Sequence, residues 1–428
     1  MIKRSRNGSH CLNPYIIIPS LLVLLSGHVL FSSYQFYSFL SLGEYSPDLT
    51  AVELKINNVQ TNIGFSACLL VKDDNDKLSE WIAYHFTTLP LRYLIVAVDP
   101  TSKTSPTEIL RRWNTTDLMQ IWEWDDNMFL KLPPKKVKTP LKLHEERQRS
   151  FYLQCIKEHK KRGRKWTVFV DSDEFVVFNY KRDGQPKIRD DNCKVKNYDS
   201  DVPVMKREDL PSHNIAMTVE ELMYSKLHDN QEVLPWKAGC LSMPRLFFGA
   251  MESKPEEISA GVPNVGLNPN NFTTLRFRKH HRKGAFTFNR FGKNMIDVSK
   301  LKHVEQVPHP HLVAPKLCPR PPLPCYDESL LRVNHYLGSW ESYSSRGGYV
   351  ARTVTDFQLR ASINEGEDDD IRPWLGTFVE KLETKRAYKL LEDAGVVTLH
   401  VELYQNRTEF SVKENVTNYM VGPMLGSN

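Results

Sequence analysis

Trp166-Thr167-Val168-Phe169-Val170-Asp171-Ser172-Asp173-Glu174-Phe175-Val176-Val177-Phe178 is the stretch that decides the fold. An apolar, β-branched run of strand length breaks into three carboxylates around one serine, then turns apolar again. Such a run fits a strand buried on both faces, as parallel strands in α/β sheets are. Ligands of these sheets bind in the crevice beyond the carboxyl ends of the strands. Asp171 and Asp173, two positions apart, are expected to project to one side there and share one divalent cation, Mn2+ or Mg2+. Alone, D-x-D is a weak signal, because aspartates at a strand-to-loop corner also cap backbone N–H groups. The apolar flanks strengthen it, since buried carboxylates without a cation or partner are costly.

Strands and helices alternate ahead of this corner. Phe65 to Val71 is an apolar strand running into Lys72-Asp73-Asp74-Asn75-Asp76. From Lys77 to Phe86, helical spacing puts Leu78, Trp81, Ile82 and His85 together. Tyr93 to Val98 is a second strand, closing on Asp99-Pro100, and Met119 to Trp124 a third. Ser105-Pro106-Thr107-Glu108 carries helix-start signals between them. His144 to Lys161 is a long amphipathic helix with Phe151, Cys155 and Ile156 facing inward, and Gly163 ends it. The alternation predicts an α/β domain with a mostly parallel central sheet flanked by helices. Neither G-x-G-x-x-G nor G-x-x-x-x-G-K-[ST] is present, so a bound nucleotide is expected to be held through a metal ion.

Beyond the corner, residues 179 to 214 are charged and aperiodic and read as an insertion. Cys240 to Phe248, Thr274 to Arg278 and Lys293 to Val298 read as strands of a second half. Residues 350 to 395 read as mainly helical, with Gly366-Glu367-Asp368-Asp369-Asp370 a solvated acidic loop, and a tail follows.

A chain of 428 residues suffices for one large domain with appendages, and its formal charge of +6 is modest and spread out. Arg276 to Lys283 (RFRKHHRK) is basic, but no recognition fold accompanies it, which argues against nucleic acid as a partner. Residues 15 to 42 are long and apolar enough to anchor the chain in a membrane. Lys3, Arg4 and Arg6 lie in the short tail, residues 1 to 14, and place it on the cytosolic side. Pro19, His28 and Gln35 interrupt the span, and a cleaved signal peptide is the alternative. A polar stem, residues 43 to 62, follows. Sequons at Asn114, Asn271, Asn406 and Asn415 suit a lumenal domain. Cys11 precedes the span, leaving Cys68, Cys155, Cys193, Cys240, Cys318 and Cys325 for disulfides. Cys318 and Cys325, around a proline-rich loop, are the favoured local pair. No C-x-x-C exists, which argues against zinc.

With these residues in place, the chain resembles glycosyltransferase family 92 and the related family-2-like transferases. The matching pieces begin with Glu80-Trp81 and Tyr84-His85 after the first strand, then Arg147-Gln148 on the helix that carries Cys155. They continue with Trp166 before Asp171-Ser172-Asp173-Glu174-Phe175, and Arg245-Leu246-Phe247-Phe248-Gly249. Gly292-Lys293 to Val298, Pro310-His311, Asn334-His335-Tyr336 and Ser339-Trp340-Glu341 complete the set. Each piece is weak, but their order and spacing make the set fairly specific over roughly residues 65 to 350. The charged loop at 181 to 214 departs from the family pattern, so no particular donor sugar carries over.

The resemblance implies a GT-A fold over residues 63 to 350, a divalent cation, a nucleotide-sugar donor and inversion at the anomeric carbon. A C-terminal helical region and tail would occupy 351 to 428. Asp171 and Asp173 would hold the cation on the donor diphosphate, with His335 or His311 as a further ligand and His309 a third candidate. Asp99, Glu80 and Arg147 are donor-side candidates. Glu341 is the favoured base for the acceptor hydroxyl, with Trp340 beside it to stack on a sugar; Glu174 and Asp327 are the alternatives. The expected activity is hexosyl transfer from a nucleotide sugar, expected to be of the UDP type, to a glycan, glycoprotein or polysaccharide hydroxyl. The expected setting is the lumen of the Golgi or ER, with a type II membrane topology. The competing class is a lumenal carbohydrate-binding or scaffold protein that keeps the fold without turnover.

The orientation is testable directly. Endoglycosidase digestion of the chain made in a secretory host should increase its gel mobility. An unchanged mobility, with every sequon asparagine unmodified by mass spectrometry, overturns the lumenal assignment.

Overall fold

The computed structural model describes residues 64 to 394, apart from 131–138, 181–217, 220–238, 282–287, 319–328, 346–351 and positions 261, 263, 290, 303–306, 308 and 316. The expected anchor, stem and tail lie outside the described residues, as do residues 181 to 214 of the charged insertion, Cys193, Cys325 and Asp327. Among the described residues, no helix is long and apolar enough to cross a membrane.

The chain is a mixed α/β fold. It begins β1 (Phe65–Val71), α1 (Asn75–Thr88), β2 (Leu91–Val98), α2 (Thr107–Asn114), β3 (Gln120–Trp124) and a single turn, α3 (Asp126–Phe129). Then come α4 (Pro140–Lys161), β4 (Trp166–Phe169), β5 (Glu174–Phe178), β6 (Cys240–Met243) and β7 (Arg245–Phe248). Short elements follow: α5 (Pro255–Ser259), α6 (Thr273–Arg276), β8 (Lys279–His280), β9 (Lys293–Asp297) and β10 (Leu331–Tyr336). The described chain closes with α7 (Trp340–Ser345), α8 (Val354–Ala361), β11 (Gly366–Glu367), α9 (Trp374–Leu382) and α10 (Thr384–Leu390).

A six-stranded sheet has the order β3-β2-β1-β4-β9-β6, and a five-stranded sheet the order β11-β8-β7-β10-β5. Strands β1 to β4 pair in parallel, as buried apolar strands joined by helices should. β9 runs antiparallel to both β4 and β6. Since β1, β2 and β3 build outward in one direction and β4 on the other, the strand order reverses between β1 and β4. That is the topological switch point where ligands of such sheets bind. β4 belongs to the first sheet and β5 to the second, so Asp171 to Asp173 form the turn between sheets. The Glu174 N–H donates to the Asp171 carbonyl at 3.0 Å, and the Asp171 N–H donates to the Glu174 carboxylate at 2.9 Å.

Among the described residues β5 is an edge strand, and an open edge leaves backbone groups to be satisfied. Side chains of α1 do this. Trp81 Nε1–H donates to the Glu174 carbonyl (3.0 Å) and the Tyr84 hydroxyl to the Val176 carbonyl (2.7 Å). The Val176 N–H donates to His85 Nε2 (3.2 Å), whose Nδ1–H is engaged by the Trp81 carbonyl at 2.9 Å. Trp81 and His85 therefore pack beneath the corner and hold its strand.

Among the described residues, two disulfides tie the sheet to its cover. Cys68 on β1 bonds Cys155 on α4, and Cys240 on β6 bonds Cys318. The expected Cys318–Cys325 pair is thus corrected: β6 brings Cys240 to Cys318 across a separation of 78 residues. Thr274 to Arg278 is corrected too, because Glu80 accepts from the backbone N–H groups of Thr273 and Thr274 and caps a helical turn there. Within the acidic run at 366 to 370, Asp368 and Asp370 are buried and Asp369 is partly so, while Glu367 stays exposed. Arg332, buried on β10, draws in Asp368 (2.7 Å) and Asp370 (3.1 Å), and Arg278 takes Asp369. A buried guanidinium without counter-charges would be costly, so these aspartates follow it inside. The C-terminal helices join the same core, with Trp374 against Tyr84 and Phe378 against Phe86 and Trp113.

Burial keeps His85 neutral, pushed down to about 3, and does the same to His159, pushed down to about 4. In the unfolded chain both titrate near 6.5. Between about 6.5 and 4 the unfolded state therefore binds more protons, so stability should fall as pH falls through that window. Glu80, raised by burial, acts in the opposite sense, so a variant comparison isolates the histidine. Urea denaturation of His85→Gln across this range should show a pH dependence shallower by about 1.4 kcal/mol per pH unit. An unchanged dependence refutes the assignment.

Candidate functional site

The carboxyl ends of β1, β2 and β4, the first residue of β9 and the last residues of β10 converge on the Asp171–Glu174 corner. Glu174 lies at its centre, fully buried. Its Oε1 accepts from Arg245 Nη1 on β7 at 3.0 Å, and its Oε2 pairs with Lys293 Nζ on β9 at 3.0 Å. Burial alone would raise its pKa, but the Lys293 ammonium and Arg245 guanidinium outweigh it and hold the carboxyl below its ordinary range. Lys293 is fully buried, which favours the neutral amine, yet Asp171 and Glu174 raise its pKa and keep it charged. A carboxylate so occupied cannot accept a proton from a substrate, which removes Glu174 as the base.

Asp171 is likewise engaged. Its Oδ2 accepts from Lys293 Nζ at 2.7 Å and its Oδ1 from Gln148 Nε2 on α4 at 3.0 Å. Asp173 takes another direction. Its Oδ2 lies 3.4 Å from Nε2 of His335, the penultimate residue of β10, and its carbonyl accepts from the Tyr336 N–H at 2.9 Å. Strand alternation explains the placement: Arg332, Asn334 and Tyr336 form a buried polar ladder on one face of β10, so His335 falls on the other. The Nδ1 of His335 is buried and makes no hydrogen bond to the described residues.

Asp173 and His335 are two side chains of this corner that could hold a cation. A hard carboxylate oxygen and an imidazole nitrogen suit a manganese-type ion whose remaining ligands are phosphate and water. Asp171 is engaged by Lys293 and Gln148, whereas Asp173 faces His335. Among the described residues, the three ligand-type side chains that cluster within 4.8 Å are Cys68, Cys155 and His159, and those cysteines are bonded to each other.

Asp99, at the end of β2, accepts from Thr101 through Oδ1 and from Arg147 Nη1 through Oδ2 at 3.0 Å. Arg147 also grips Asp126 on α3, so it pairs with Asp99 and Asp126 and not with Glu174. His144, one turn ahead of Arg147, is lowered by burial against the pull of Asp171 and Asp99. His311 donates Nδ1–H to the Gly292 carbonyl at 2.9 Å, which leaves Nε2 as its acceptor. Burial, then Lys293 and Arg245, hold it neutral, pushed down to about 2.

Two candidates are placed elsewhere or differently. Glu80 is buried, and three donors from Thr273 and Thr274 fill its carboxylate; it anchors α6 and is not joined to the corner. Glu341 is exposed in the first turn of α7, which Ser339 caps and Gly338, at a φ of 78°, separates from β10. No hydrogen bond from its carboxylate forms among the described residues. Trp340 lies half-buried against Phe357 and Tyr343. Lys293, Arg245 and Gln148 were not assigned roles from sequence. Lys293 and Arg245 each open a short apolar strand with a charge, the available signal for a buried partner.

No family model matches the chain, and no curated protein matches it. Among solved structures it is similar to one described as "Crystal Structure of a Mycobacterial Protein", at 13% identity over 82% of this chain and 80% of that one, with a TM-score of 0.27. A score of that size does not demonstrate a shared fold.

The buried charges give a direct test. Lys293→Met leaves Asp171 and Glu174 short of a counter-charge and should destabilise the chain by about 3–5 kcal/mol in urea denaturation. Adding Asp171→Asn should recover part of that loss, with Glu174 still short of one partner. Full stability of Lys293→Met overturns the network.

Proposed function

We propose that this chain is a metal-dependent glycosyltransferase of GT-A type. It would act in the secretory lumen, moving a hexose from a nucleotide sugar to a glycan hydroxyl. The observation that carries this reading is the Asp173–His335 pair, 3.4 Å apart, at the switch point of a mostly parallel sheet. The motif resemblance, which includes both residues, supports the same reading.

Each residue then has a role the geometry allows. Asp173 and His335 would hold Mn2+ or Mg2+ against the donor diphosphate. When bound, the ion supplies Lewis-acid stabilisation of the leaving diphosphate. Lys293 and Gln148 fix Asp171, so that carboxylate lines the site at a defined position and is the one nearer solvent, 39% exposed. Asp99, held by Arg147 and Thr101, shapes the nucleotide side between β1 and β2. Glu341, whose carboxylate is exposed six positions after His335, is the proposed proton acceptor for the incoming hydroxyl. Inversion would follow from a single in-line displacement.

A donor panel with Mn2+ tests the reading. Asp173→Asn and His335→Ala should each lower turnover by on the order of a hundredfold and weaken Mn2+ dependence. Glu341→Gln should cost a similar factor in kcat while leaving donor binding intact. Turnover that persists in chelator, in wild type and both metal-site variants, removes the cation from the mechanism. Near-normal turnover of Glu341→Gln moves the base elsewhere.

A further inference from the structure

A second feature adjoins the corner on the side away from β2. Lys293 opens β9 beside the end of β4, where Phe169 pairs with Asn294. Two residues earlier, Phe291 is 44% exposed, large for an aromatic ring. Its ring lies 5.8 Å from that of His311 and 6.4 Å from that of His309, and the two imidazoles stack at 5.3 Å. The three planes are inclined to one another by only 30° to 36°. They form a ledge with a common orientation.

The polar edges of that ledge are fixed. The His311 N–H donates to His309 Nδ1 at 3.1 Å, so the His309 proton sits on Nε2, on an exposed residue. His311 spends Nδ1–H on Gly292 and keeps an acceptor at Nε2. The ledge therefore offers an aromatic face, one ring N–H donor and one ring-nitrogen acceptor. A pyranose has the matching surface: an apolar C–H face rimmed by hydroxyls that both donate and accept.

We infer that Phe291, His309 and His311 form a stacking subsite for a pyranose ring of the acceptor. This rests on the reading of the corner as a transferase site, and names where its acceptor binds. Position favours acceptor over nucleobase. Asp99 and Arg147 lie across the switch point on the β1–β2 side, whereas Phe291 leads into β9 on the far side of β4. The rings thus flank the corner opposite the nucleotide half.

The experiment uses the intact chain, a panel of methyl pyranosides as probes, and UDP with Mn2+ as a separate ligand. Saturation-transfer NMR should detect at least one glycoside on wild type. Phe291→Ala should weaken that binding by on the order of tenfold, His309→Ala should weaken it less, and Phe291→Trp should retain it. UDP binding should be unchanged by all three. Thermal unfolding checks that each variant is folded, and the exposure of Phe291 makes a folded Ala variant the expected result. Absence of any glycoside binding to wild type, or equal binding to wild type and Phe291→Ala, overturns the subsite. Loss of UDP binding in Phe291→Ala with glycoside binding kept assigns the ledge to a nucleobase and also overturns it. Glycoside binding that needs Phe291, in a chain that binds no UDP with Mn2+, upholds the subsite and sinks the transferase reading.

Discussion

The buried carboxylate of Glu174 is the constraint on which the rest of this architecture depends. It is fully desolvated, and it receives Arg245 from β7, Lys293 from β9 and the backbone N–H of Asp171 from its own turn. Those partners come from both sheets. Any displacement of one sheet against the other would strand a charge in a medium that penalises it by several kcal/mol. Apolar residues of similar volume can often replace such a network without loss of stability, but removal of one member is costly. The network thus fixes where the sheets meet, and it fixes Asp171, Asp173 and His335 along with them.

Helix α1 completes that fixation from below. Trp81, Tyr84 and His85 spend polar atoms on the open edge of β5, immediately after the corner. These residues belong to the pieces by which the chain resembles a transferase family. Their chemistry here is structural: they replace the missing neighbour strand and stop the edge from slipping or pairing elsewhere. Residues near a site can thus look catalytic in a sequence when their task is to hold its backbone still.

Much of the first half was legible because its signals are local. Apolar runs of strand length, helix-start residues at 105 to 108 and the break at Asp171 each depend on neighbours within a few positions. Thr139 and Pro140 extend α4 one turn ahead of the expected start at His144, because Thr139 caps it and proline suits its first position. What escaped depends on partners far along the chain. Lys293 meets Asp171 across 122 residues, Glu80 meets Thr274 across 194, and Arg332 meets Asp370 across 38. No spacing rule encodes such meetings. The acidic run at 366 to 370 reads as solvated until the buried arginine it neutralises is seen. The site was legible in part for the same reason: the D-S-D turn is contiguous, whereas its division of labour is set by β9 and β10.

That division has an electrostatic logic. Asp171, Asp173 and Glu174 bring three negative charges, and Lys293 with Arg245 returns two positive ones. The positive charges are not spread evenly. Both lie on Glu174, and Lys293 is shared with Asp171, whereas Asp173 faces His335. The group facing Asp173 is an imidazole, which can offer a lone pair without adding charge. A divalent cation placed there, as proposed, would make the corner more positive. In the proposed reaction that change would favour the approach of a diphosphate. A corner with all three carboxylates free would bind a cation more tightly but leave it too neutralised to hold an anion. On the proposed reading, the buried lysine would weaken the cation site as a sink and strengthen it as a bridge.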